Sequence, residues 1–196
     1  SVKDRGGHAA VIGLRGSPSR EQLAELARHR REKRTYLAFD ADDAGREDTW
    51  LCAEALAGAD FDVRVVKLPP GANDIDDVLR SVDRDAGPDV LRTLMAEAQP
   101  VLEYLCETLA EELSAAEKDR RVTRFAMLVL EQPLLEHDEW RRRLRDTLGA
   151  SASAINGIFR AADAQRQKRS SAEARANAPR AAAEPASDSS EAAKKR

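Results

Sequence analysis

Cysteine is almost absent from this sequence. Cys52 and Cys106 stand far apart, each inside an apolar pattern of helical spacing. That excludes a disulfide framework and argues against a structural zinc site, leaving two buried, reduced thiols as the expectation. Histidine is equally scarce, and His8, His29 and His137 show no ligand spacing with each other or with cysteine. No apolar run approaches the roughly 20 residues that span a bilayer, and no secretory pattern opens the chain, so a cytoplasmic protein without membrane contact is expected. From Lys168 onward there is no Val, Ile, Leu, Met or aromatic residue at all. Residues 166–196, rich in Ala, Ser and charge, are therefore expected to form a disordered tail.

Charge of one sign does not dominate either. Net charge is −3 over 196 residues, which does not advertise a nucleic-acid binder. Of 32 basic and 35 acidic residues, seven and four fall from Lys168 on, leaving 25 against 31 in the body. The sharpest basic cluster is Arg28 to Arg34, "RHRREKR". It reads either as the solvated end of a helix, where cations complement the dipole, or as a phosphate-holding patch. In the second reading Arg30, Arg31 and Arg34, with Arg46 further on, are the candidate nucleic-acid contacts.

A hydrophobic share of 42% is ample for a folded core. Ala9 to Leu14, "AAVIGL", reads as a buried strand. A helix follows it, opened by Ser17 and Pro18 or by a Ser19/Gln22 capping box. "TYLAF" at 35–39 is a second strand, and "REDTWLCAEALAGA" a helix ending near Gly58. "FDVRVVKL" at 61–68 is a third strand, filled with Val63, Val65 and Val66. Strands separated by single helices imply parallel βαβ units and an α/β sheet. From Pro88 the pattern is helical throughout, with five helices marked by Leu91/Leu94, Leu102/Leu105/Leu109, Val122/Phe125/Ala126/Val129, Trp140/Leu144/Leu148 and Ile155/Ile158/Phe159. The organisation expected is an α/β unit over 1–85, a helical subdomain over 86–165 and the tail.

The informative stretch is "TYLAFDADDAG", Thr35 to Gly45, where a strand ends in Asp40, Asp42 and Asp43. Like charges this close repel, so their proximity needs a reward. A calcium loop of the EF-hand type fails, because Ala44 and Leu51 occupy ligand positions and a strand precedes the loop. Helix capping accounts for one aspartate comfortably and for three poorly. A divalent metal site at the carboxyl end of a parallel sheet accounts for more. Asp40 and Asp42, two apart at a strand end, share a side. The next strand ends in "LPPGANDIDD", which places Asp74, Asp76 and Asp77 at a neighbouring carboxyl end. Mg²⁺ or Mn²⁺ would neutralise the two clusters.

"YLAFDADDAGRE" is similar to the DxDxxG motif of the Toprim domain, and "VVKLPPGANDIDDVLR" resembles the segment that follows it in bacterial-type DNA primases. Ile75 replaces the proline of that family's Asp-Pro-Asp triplet, and Arg15-Gly16-Ser17 stands where Gly-Thr is usual. "EELSAAEKDRRVTRFAMLVLEQPLLEHDEWRRRLRDTLGASASAI" resembles the helical subdomain after Toprim, so the resemblance covers about residues 8 to 160. It implies an incomplete Toprim-like sheet with Asp40, Asp42, Asp74 and Asp76 as Mg²⁺ (or Mn²⁺) ligands. The implied chemistry is nucleotidyl transfer, making short RNA primers on a single-stranded DNA template from ribonucleotides. The replicative helicase is a further partner of that family. The family's acid–base glutamate lies on the first strand, whereas the first Glu here is Glu21, inside the first helix. The sequence is thus expected to start inside the Toprim domain, with no catalytic residue of its own assigned. The alternative expectation is a non-catalytic remnant or interaction module that binds DNA or replication proteins.

Overall fold

The computed structural model describes residues 17–29, 34–56 and 62–176. The expected strand at 9–14, Arg30, Arg31 and His8 lie outside the described residues. Helix α1, Arg20–His29, begins with the Ser19/Gln22 box of the two possible starts. Gln22 N donates to Ser19 Oγ (3.2 Å) and Ser19 N donates to Gln22 Oε1 (2.8 Å), satisfying two donors at the helix entrance. Strand β1, Arg34–Leu37, leads into α2, Asp43–Leu56, and then β2, Asp62–Val65. β1 and β2 pair in parallel, with Arg34 opposite Asp62 and Leu37 opposite Val65.

α3, Ile75–Arg80, and α4, Gly87–Ala96, follow, then β3, Gln99–Pro100, and α5, Val101–Thr108. β3 pairs antiparallel with β2 and makes the sheet mixed, in the order β1-β2-β3. The helical pattern from Pro88 on hides this strand. It is two residues long and ends in a proline, which a ladder tolerates only at an edge. α6, Ala115–Leu130, is capped by Ser114, whose Oγ accepts from Glu117 N at 3.2 Å. A single 3₁₀ turn, Leu134–Glu136, leads to α7, His137–Leu148, which closes on Gly149 at φ 59°. That left-handed backbone suits glycine and ends the helix.

α8, Ala152–Ala176, corrects the expected tail boundary at 166. Its burial ends at Ala162, and every residue from Ala164 to Ala172 is exposed. Helix here needs no core, because Ala, Arg, Gln and Lys are strong helix formers. Arg166 also ties the helix to Glu131, 2.6 Å from its Nε. The remainder of the expected tail, residues 177–196, lies outside the described residues.

Two apolar clusters hold the elements. One joins α5, α6, α7 and α8 around Leu105, Leu109, Phe125, Val129 and Leu144, with Phe125 meeting Trp140 edge-on at 5.9 Å. The other sits under the sheet and comprises Leu23, Leu37, Cys52, Leu56 and Val63. α2 belongs to both: Trp50 and Ala53 enter the first, Cys52 and Leu56 the second. Over Trp50 lies the Arg124 guanidinium, 5.0 Å from the ring. It bonds Glu54 at 2.6 Å and Glu47 at 2.8 Å, both on α2. Both thiols are buried and free, as expected, and burial pushes Cys52 up to about 12. No helix among the described residues is long and apolar enough to cross a membrane.

Two outcomes follow from this packing. Phe125→Ala loses about 3–5 kcal/mol in urea unfolding. Truncation after Gln167 removes no buried side chain among the described residues and leaves stability within about 0.5 kcal/mol. A larger loss on truncation would mean that the end of the chain packs on the body.

Candidate metal site at the sheet's carboxyl edge

The acidic crowding after β1 resolves residue by residue. Asp42 Oδ1 accepts from Gly45 N at 2.8 Å, and Asp42 O accepts from Arg46 N at 3.1 Å, so Asp42 caps α2. Asp43 opens the helix and pairs with Arg46 at 2.5 Å, which holds that guanidinium above its ordinary pKa. Both carboxylates sit where the helix dipole favours negative charge. Asp40 is different: it is exposed, and its carboxylate has no hydrogen-bond or ion-pair partner among the described residues.

Gly45 has a steric reason to be glycine. A Cβ there would lie 2.1 Å from Asp40 O and 3.0 Å from Asp40 C and N. The first turn of α2 therefore folds back onto the Asp40 backbone only without a side chain at 45. Thr49 Oγ1, one turn on and buried, donates to Gly45 O at 2.9 Å and secures the same turn.

The second acidic loop leaves β2 through Leu68-Pro69-Pro70-Gly71. Gly71 has φ 90° and Ala72 N donates to Pro69 O at 3.1 Å, which is a turn with proline and then glycine at its centre. Asp74 then caps α3, its Oδ1 accepting from Asp77 N at 2.6 Å. Asp77 Oδ2 reciprocates by accepting from Asn73 N at 3.1 Å. Asp76 pairs with Arg80 at 3.1 Å. One backbone bond joins the two loops: Ala41 N donates to Asn73 O at 2.9 Å.

So the structure brings the Asp40–Asp42 and Asn73–Asp77 segments side by side at one sheet edge. It does not gather the carboxylates tightly: among the described residues no three or more Asp, Glu, His or Cys side chains are grouped to hold a metal ion. The donor chemistry still suits a hard cation. Among the described residues Asp40 has no partner, and Asp42 and Asp74 each commit only Oδ1, to a cap.

Of the basic candidates, Arg34 pairs with Asp62 across the β1–β2 register at 2.5 Å and Arg46 with Asp43. Neither is a free cation. Two residues that sequence reasoning missed stand beside the first loop. Lys67, just past β2, and Tyr104, on α5, line a hollow of about 230 Å³ together with Phe39, Asp40, Gly45 and Thr49. Lys67 Nζ donates to Glu107 at 2.8 Å, which draws the Glu107 pKa down. Partial burial pushes the Tyr104 phenol up. No sequence signal separates Tyr104 from the core positions that flank it on α5.

Residues 3–79 match the Toprim-like family. Over 162 residues the chain is 22% identical to a DNA primase of Clostridium acetobutylicum, an alignment that takes in 81% of this chain and 26% of that protein. The chain thus spans about a quarter of the curated relative. Among solved structures it is similar to a DNA primase domain from Pseudomonas aeruginosa, at 26% identity and a TM-score of 0.48, over 74% of this chain and 45% of that one. It is also similar to the zinc-binding and RNA polymerase domains of the Aquifex aeolicus primase, at 22% identity and a TM-score of 0.47, over 70% and 31% of the two chains.

Substitutions in the first loop separate its steric and charge roles. Gly45→Ala forces a Cβ into the Asp40 carbonyl and costs about 2–3 kcal/mol or more. Asp42→Ala costs about 1 kcal/mol as a lost cap, whereas Asp42→Asn keeps the cap and stays within about 0.5 kcal/mol of the parent. Urea unfolding reads all three. A neutral Gly45→Ala would mean that the close approach to Asp40 is not held in solution.

Proposed function

We propose, from residues 3–79 being a Toprim-like region of the bacterial DNA primase kind, that this chain supplies the metal-binding aspartates of a DNA primase. Its substrates in this reading are a single-stranded DNA template and ribonucleotides, and its product is a short RNA primer for replication in the cytoplasm. Asp40 and Asp42 are the first pair of ligands, and Asp74 and Asp76 the further acidic contributors. The observation that carries the reading is the Ala41–Asn73 bond, which ties two acidic loops together at the carboxyl ends of parallel neighbours. Bound Mg²⁺ or Mn²⁺ would supply charge neutralisation for the attacking and leaving oxygens of nucleotidyl transfer. The chain's own part is to aim carboxylates. Gly45 sets the path of the backbone past Asp40, and the α2 and α3 caps fix one oxygen each of Asp42 and Asp74 while leaving the other open.

A second reading has its own support. Asp42, Asp74 and Asp76 all have partners within the fold, and no three acidic side chains are grouped among the described residues. That suits a non-catalytic module that binds DNA or replication proteins.

Titration with Mn²⁺ and with single-stranded DNA distinguishes the two. The primase reading expects weak Mn²⁺ binding that Asp42→Asn abolishes at unchanged stability, and it expects no primer synthesis by this chain alone, for which no acid–base glutamate is assigned. Mn²⁺ affinity indifferent to Asp40→Asn and Asp42→Asn sinks the metal reading. DNA binding that survives both substitutions then favours the interaction module.

A further inference from the structure

A groove of about 700 Å³ opens between α1, α2 and α6, and it shares no lining residue with the hollow beside Asp40. Its described lining sets four arginines against three glutamates, which leaves one positive charge over. The pairing shows where that charge lies. Arg124 spends Nε on Glu54 and Nη1 on Glu47. Arg120 and Arg121 share one carboxylate, Glu117, which Arg121 Nε reaches at 2.7 Å. Arg20, the first residue of α1, is exposed and makes no hydrogen bond or ion pair with the described residues.

Arg121 adds an observation of a different kind. Its side chain is only 10% exposed, and its buried Nη1 has no acceptor among the described residues. A buried donor without an acceptor keeps its whole desolvation cost, and more so when it is charged. Glu117 does not meet the need, because Oε1 takes Arg121 Nε and Oε2 takes Arg120. The groove thus lacks one negatively charged oxygen group, between an unpaired guanidinium and an incompletely paired one.

We propose that this groove is a phosphate-binding site, in which Arg20 and the Arg121 guanidinium hold one phosphate group between them. The guanidinium fork presents two donors at the spacing of phosphate oxygens, so Arg121 meets the ligand with the nitrogen that Glu117 leaves over. Nη1 lies beneath the present surface, and a phosphate reaches it as a side chain of the groove swings aside. Arg120 is free to do so, because it is 68% exposed and a pair at that exposure is weakly held. Glu117 is then the competitor for the two guanidiniums, and removing its charge favours the ligand. The phosphate is either free or part of a nucleic-acid backbone, since both present the same oxygens. The proposal does not rest on a cation at Asp40.

The experiment follows backbone amide NMR shifts of the full chain during titration with sodium phosphate and, separately, with a short oligothymidylate, both at constant ionic strength. The amides of Arg20 and of Glu117 to Arg124 shift together in at least one titration. Arg20→Gln, which removes an exposed side chain without a described partner, raises the Kd roughly three- to tenfold. Glu117→Gln lowers it by about two- to fivefold. Arg142→Gln, on α7 and outside the groove, leaves it unchanged, which a diffuse charge effect would not. Shifts at these amides with phosphate alone support the site and assign free phosphate; shifts with oligothymidylate at lower concentration support it and assign a strand backbone. Absence of shifts at these amides with both ligands overturns the proposal. So does an affinity that is unchanged in both Arg20→Gln and Glu117→Gln.

Discussion

The close approach of Gly45 to the Asp40 backbone fixes the geometry on which the rest of this edge depends. With a Cβ position 2.1 Å from a carbonyl oxygen, only glycine lets α2 start where it does. The start of α2 sets how Asp42 caps it, where Asp40 is left, and how the helix lies beneath the sheet. The neighbouring loop is then tied on by a single backbone bond from Ala41 to Asn73. A steric constraint at one position thus organises two acidic segments.

α2 also explains why the helical half bears on the acidic edge. It is buried on two sides, giving Trp50 and Ala53 to the helical core and Cys52 and Leu56 to the core under the sheet. Arg124 ties α6 to α2, stacked on Trp50 and bonded to Glu47 and Glu54. Its side chain is only 15% exposed, so these pairs are less screened than the many surface pairs elsewhere. A helix held from both sides keeps its N-terminal turn in place, and with it the Asp40–Gly45 loop.

Much of this was legible in residues. The helices after Pro88 announce themselves by leucine and aromatic spacing, and the Ser19/Gln22 box by its capping chemistry. The clustered aspartates were legible as a feature but only partly in cause. Repulsion among Asp40, Asp42 and Asp43 suggests one shared cation. In the fold, a cap satisfies Asp42 and an ion pair satisfies Asp43, which leaves Asp40 as the acid without a partner among the described residues. Other elements leave no periodic trace. β3 is two residues long, α3 is a single short helix driven by the Asp74 cap, and α8 runs on past its last buried residue with Ala164 to Ala172 all exposed. Lys67 and Tyr104 lie 37 positions apart and meet through tertiary structure alone.

The central claim is that the two acidic loops act as one cation site. Amide NMR spectra of the chain during addition of Mn²⁺ test it most directly, because paramagnetic broadening falls off steeply with distance. The account predicts that the amides of Ala41 to Gly45 and of Asn73 to Asp77 broaden together, at the lowest Mn²⁺ additions, and that Asp40→Asn protects both loops. Broadening confined to one loop, or centred on an acidic surface elsewhere, would contradict it.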